Sequence, residues 1–75
     1  MGFKADRAMS PTSKLIMIYL NAQTKPQAVI AISDEVGASY WTTRLLCKEL
    51  ADMGLLDLTL MGKSPHYSVA AAEAK

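Results

Sequence analysis

Residues 32–56 read ISDEVGASYWTTRLLCKELADMGLL and divide at Gly37 into a short helix and a longer one. In the longer segment Thr43, Leu46, Cys47, Leu50 and Met53 stand at i, i+3, i+4, i+7 and i+10, one continuous stripe on a 3.6-residue period. That stripe is expected to pack inward. The opposite face carries Tyr40, Trp41, Arg44 and Lys48, with Leu45 beside them. A helix kept only for structure has no need to display large aromatic and cationic side chains together, so this face is a candidate reader.

The ends of the segment are as informative as its middle. Ser39 stands where an N-cap is wanted, and Gly54 where the chain must leave the helix through positive φ. With Gly54 at C′, Leu55 falls at C″ and Leu50 at C3, the apolar pair of a Schellman ending. Gly37 permits the same left-handed exit from the shorter helix, where Val29, Ile32, Ser33 and Val36 repeat the i, i+3, i+4, i+7 spacing and Ala38 offers a small apolar residue for the inside of the turn. Two helices crossing sharply over a shared core are expected.

These residues resemble a known family. The run ISDEVGAS, followed by a helix that ends KELADMGLL, is similar to the helix-turn-helix of the winged-helix DNA-binding superfamily, in the style of the multiple-antibiotic-resistance and arsenical-repressor groups. Leu50, Gly54, Leu55 and Leu56 carry the most typical part, an L-x-x-x-G-L-[LV] ending, and the resemblance covers roughly residues 12–70. Two positions depart from the pattern. Ser33 replaces the usual alanine of the first helix, and Leu45 occupies a place more often polar or basic.

Toward the N-terminus, residues 1–9 (MGFKADRAM) are either a disordered arm or a short helix that packs on a partner. Ser10 and Pro11 make a good helix start, since serine caps and proline at the first helical position needs no N–H donor. The helix is expected to run to about Ala22. Its block of residues 15–20, LIMIYL, is apolar all round, so Leu15, Ile18, Tyr19 and Ala22 are assigned to the domain core while Ile16, Met17 and Leu20 face a second copy of the chain. Residues 21–26, NAQTKP, form a polar linker. Residues 28–32 suit either the start of the second helix or a short buried strand; the helix is adopted, with one or two bridge residues around Gln27 and Ala28 pairing with a later hairpin.

Beyond Gly54 the period falls from 3.6 to 2. Leu56, Leu58 and Leu60 alternate with Asp57 and Thr59, residues 62–65 (GKSP) turn the chain, and Tyr67 and Val69 share one face of the returning strand. In a winged fold this hairpin is the wing, with Lys63 and Ser64 at its tip beside the nucleic-acid backbone. The final AAAEAK has high helix propensity but too few residues to hold a helix alone. The expected division is an N-terminal arm or short helix at 1–9, a winged helix-turn-helix domain at 10–70 and a tail at 71–75. The expected fold class is mainly α with a small β-hairpin (α+β): three helices plus a C-terminal β-wing.

Length and composition bound the rest. At 75 residues the chain holds one domain, and a domain this small buries only about 60% of its unfolded surface, so a partner subunit would help it. One cysteine and one histidine allow neither an internal disulfide framework nor a Cys/His zinc site; no cofactor or metal is expected, and a reducing cytoplasm is the expected location. The longest apolar runs are too short to span a bilayer or to serve as a secretion signal. Net charge is only +1, so the placement of charge matters more than its sum. Asp34, Glu35, Asp52 and Asp57 lie outside the proposed reading face, whereas Arg44, Lys48 and Lys63 fall on it.

Each of these residues also has a plainer reading. Tyr40 and Trp41 could serve only to cover core, Lys48 to pair with Asp52, Leu45 to sit beneath a subunit, and His66 to decorate the hairpin surface. Cys47 is expected to be an ordinary packed thiol. The chain carries no Gly-rich phosphate loop, no H-E-x-x-H and no nucleophile spaced with a histidine and an acid, so it is not expected to be an enzyme. The resemblance implies a homodimeric transcriptional regulator that binds double-stranded DNA through Ser39, Tyr40, Trp41, Thr42, Arg44, Lys48, Lys63 and Ser64, with residues 39–53 entering the major groove by their N-terminal half. A winged-helix module for protein–protein assembly and a plasmid or viral replication or partition protein are the alternatives.

Overall fold

The chain orders itself as α1 (Pro11–Asn21), β1 (Gln27–Ala28), α2 (Val29–Val36), α3 (Tyr40–Asp52), β2 (Leu56–Met61) and β3 (Ser64–Val69). This computed structural model describes residues 9–70. The result is a small α+β domain in which three helices pack with a three-stranded antiparallel sheet of order β1-β3-β2. Residues 1–8 and 71–75, which hold nearly all of the expected arm and the expected tail, lie outside the described residues.

Local chemistry sets the helix ends. The Ser10 hydroxyl accepts from the Ser13 N–H at 3.1 Å, with Pro11 at the first turn. Ser39 caps α3 in the same way, accepting from the Thr42 N–H at 3.1 Å. At the far end of α3, the Leu55 N–H donates to the Leu50 carbonyl and the Gly54 N–H to the Ala51 carbonyl, both at 3.0 Å, while Gly54 sits at φ +83°. That is the expected Schellman closure, and it buries Leu50 and Leu55 together. Gly37, at φ +72°, ends α2.

Residues 28–32 are resolved as a division of labour. Gln27 and Ala28 pair with Tyr67 and His66 of β3, and the helix begins at Val29. Ser33, the departure from alanine, is buried but not orphaned, because its hydroxyl donates to the Ile30 carbonyl at 2.9 Å. The hairpin turn is tighter than expected. Met61 pairs with Ser64, so only Gly62 and Lys63 lie in the loop, and Pro65 belongs to β3 opposite Leu60. Gly62 has φ +66°, as a first loop residue in a two-residue type II′ connection requires.

The rotation of α1 corrects the sequence expectation. Ser13, Ile16, Met17 and Leu20 form the buried stripe, whereas Leu15 and Ile18 are 48% and 61% exposed and Ala22 lies at the surface. Both sets have the same i, i+3, i+4, i+7 spacing, so a helix apolar on every side carries almost no rotational signal of its own. Contacts with α2, α3 and β3 decide the matter. The stripe tolerates Ser13 because the Ser10 and Ser13 hydroxyls hydrogen-bond at 3.0 Å. Ile16, Met17 and Leu20 are therefore consumed by the chain's own core and do not offer a face to a second copy. Met9 also joins that core rather than a partner.

On α3, Thr43, Cys47 and Leu50 are buried and Leu46 packs partly against the core, as the stripe requires. Met53 departs from it. It is the C-cap residue, the last before the Gly54 turn, and its side chain is exposed. The Thr43 hydroxyl is buried with no hydrogen-bond partner among the described residues.

Candidate functional site

The outer face of α3 forms because the inner stripe is used up by Thr43, Cys47 and Leu50, which leaves Tyr40, Trp41, Arg44, Leu45 and Lys48 on the solvent side. Trp41 is 71% exposed, and its ring meets that of Tyr40 edge-on, with centroids 5.4 Å apart. The Arg44 guanidinium lies 5.7 Å from the Trp41 ring centroid, within cation–π range. Lys48 reaches the Asp52 carboxylate at 3.2 Å, one turn on. Both partners are well exposed, so water screens this pair and leaves the ammonium available to an incoming anion.

The hairpin brings a second wall. In β2 and β3 the cross-strand partners Leu58 and Tyr67, and Leu60 and Pro65, turn one face toward α3. Between helix and hairpin lies an open groove of ≈ 580 Å³, lined from α3 by Trp41, Arg44, Leu45 and Lys48, and from the hairpin by Leu58, Leu60, Lys63, Pro65 and Tyr67. Of the sequence-designated residues, Trp41, Arg44, Lys48 and Lys63 meet in this groove. Tyr40 and Ser64 meet in a smaller depression beside it, together with Ala28, Val29, Ile30 and Pro65. Ser39 and Thr42 stand at the exposed start of α3, where their hydroxyls hydrogen-bond to each other at 2.9 Å.

Sequence reasoning missed the hairpin's contribution to the groove. Leu58, Leu60 and Tyr67 were legible only as one face of alternating strands, and Pro65 was assigned to the turn rather than to β3. The signal was a surplus: β2 has three leucines on one face, and only Leu56 is buried in the core. Burial raises the Tyr67 phenol above its ordinary pKa, against the opposing pull of Arg44 and Lys48, so the group remains neutral in the groove. Cys47 lies behind the face, and burial pushes its thiol up from an ordinary 9.0 to about 12. His66 is turned back on its own strand, with Nδ1 3.1 Å from the Ser64 carbonyl. Among the described residues no cluster of His, Cys, Asp or Glu is placed to hold a metal ion, and no helix is long and apolar enough to cross a membrane.

No family model and no curated protein matches this sequence. Among solved structures, human N-acetylserotonin methyltransferase in complex with SAM contains a similar fold, with a TM-score of 0.65 over 95% of this chain at 22% identity. This chain spans 26% of that chain's length. The likeness concerns the fold alone.

Proposed function

We propose that this domain is a winged helix-turn-helix that binds double-stranded DNA, with α3 as the recognition helix and the β2–β3 hairpin as the wing. The observation that carries the reading is the convergence of three cations from two elements: Arg44 and Lys48 of α3 and Lys63 of the hairpin loop line one groove, and no carboxylate is among its lining residues. Positive charge gathered on one face attracts the phosphate backbone even when the net charge is only +1. The N-terminal half of α3, with Tyr40, Trp41, Thr42 and Arg44, would lie nearest the base edges, while Lys48, Lys63 and Ser64 contact phosphate. A role in transcription regulation, as a homodimer in the cytoplasm, belongs to the same proposal.

Binding rather than catalysis is proposed. The most nucleophilic side-chain type in the chain, the Cys47 thiol, is buried and held protonated up to about 12. The test is fluorescence anisotropy of labelled random-sequence duplex at low and moderate salt, with light scattering on the same sample to count subunits. With two phosphate-directed cations, Lys48 and Lys63, log affinity should fall against log salt with a slope of about −2 per subunit. A folded protein that leaves duplex DNA unbound at low salt would end this reading.

A further inference from the structure

The groove holds more apolar surface than a phosphate backbone can use. Its floor brings Leu58, Leu60 and Tyr67 of the hairpin opposite Trp41 and Leu45 of α3, and Leu45, Leu58 and Leu60 are 57%, 52% and 67% exposed. An exposed apolar patch with a polar rim marks a site for another apolar surface. The lining residues carry three cations, Arg44, Lys48 and Lys63, and no carboxylate; the nearby Asp52 carboxylate, 3.2 Å from Lys48, is exposed and its pair is screened by water, so the groove's edge stays predominantly positive. The complement of such a groove is a row of apolar side chains flanked by carboxylates.

We propose that the groove docks an acidic amphipathic segment of a partner protein. Its leucine or aromatic side chains settle on Leu45, Leu58 and Leu60, and its aspartates and glutamates meet Arg44, Lys48 and Lys63. These are the cations on which DNA binding is proposed to depend, so an occupied groove excludes the duplex and the partner acts as a regulator. The exclusion rests on the DNA-binding reading. The docking stands without it, because floor and rim are properties of this chain alone.

The test is selection from a random peptide library displayed on phage against the full chain, followed by anisotropy of the labelled selected peptides. Wild type is compared with two double variants, Leu45→Asp with Leu60→Asp and Arg44→Glu with Lys63→Glu. All four side chains are exposed, and circular dichroism confirms that the variants fold. The expected result is enrichment of sequences that combine Asp or Glu with large apolar residues, loss of about tenfold or more in affinity for either double variant, and competition between peptide and duplex. A library without binders, binders lacking acidic residues, or binders indifferent to both double variants would overturn the docking. So would light scattering that shows a second copy seated in the groove and removed by these same substitutions. Duplex binding is measured separately without peptide. If peptides bind as expected and duplex does not, the docking is upheld and the DNA reading falls with the exclusion.

Discussion

The Arg44 guanidinium lies 5.7 Å from the ring centroid of Trp41, one helical turn earlier on the same exposed face. This contact holds a planar cation and a large ring together at the mouth of the groove, where neither is needed by the core. Trp41 is the chain's single tryptophan, so its fluorescence reports on that one place. Duplex DNA should change Trp41 emission with the same midpoint as the anisotropy titration, and Arg44→Ala should alter the emission of the free protein. A rise in anisotropy with unchanged emission would show that the duplex sits elsewhere.

Arg44 and Lys63 approach the groove from different elements, so their joint removal separates a binding surface from a merely charged one. Arg44→Ala with Lys63→Ala should weaken duplex binding through the lost base-edge contact of Arg44 and flatten the salt slope by about one, for the phosphate that Lys63 no longer neutralises. Asp52→Asn should act in the opposite direction, since it removes the carboxylate 3.2 Å from Lys48. Neither change touches the core, and the melting temperature should hold. Unaltered affinity and slope in the double variant would remove Arg44 and Lys63 from the site.

Thr43 occupies a fully buried position with its hydroxyl unpartnered among the described residues. Valine has nearly the same shape and no polar atom, so Thr43→Val should raise the unfolding free energy by about 1 kcal/mol. For a domain of this size that is a rise of roughly 4–8 °C in melting temperature, measured by circular dichroism. A lower melting temperature would mean that the hydroxyl has a partner on which stability depends.

Cys47 makes stability depend on alkaline pH. Its folded thiol is held protonated up to about 12, against an ordinary 9.0 for the unfolded chain, because burial disfavours the thiolate. Above the unfolded value the denatured state releases a proton that the native state keeps, so the contribution is whole below about 9 and is lost as pH rises toward about 12. Denaturant melts should show this loss in wild type and less of it in Cys47→Ala, whose starting stability is lower through the cavity it leaves. Identical alkaline slopes in the two proteins would show that other groups govern the decline.

What could be read from the sequence was local. Ser10 with Pro11, Ser39, Gly37 and Gly54 mark ends because capping hydroxyls and left-handed glycines act within a few residues of chain, and all four are found at those ends. The inner stripe of α3 was legible for the same reason: its outer face is polar enough to give the helix a direction. Tertiary contacts decided the remainder. Which stripe of α1 is buried, and so which residues no second copy can use, depends on α2, α3 and β3 closing over Ile16, Met17 and Leu20. The groove likewise exists only because the β2–β3 pairing sets Leu58 and Leu60 against Trp41 and Leu45, residues separated by more than a dozen positions in the chain. Periodicity shows which residues share a face of one element; only packing between elements shows which face meets the core and which meets a partner.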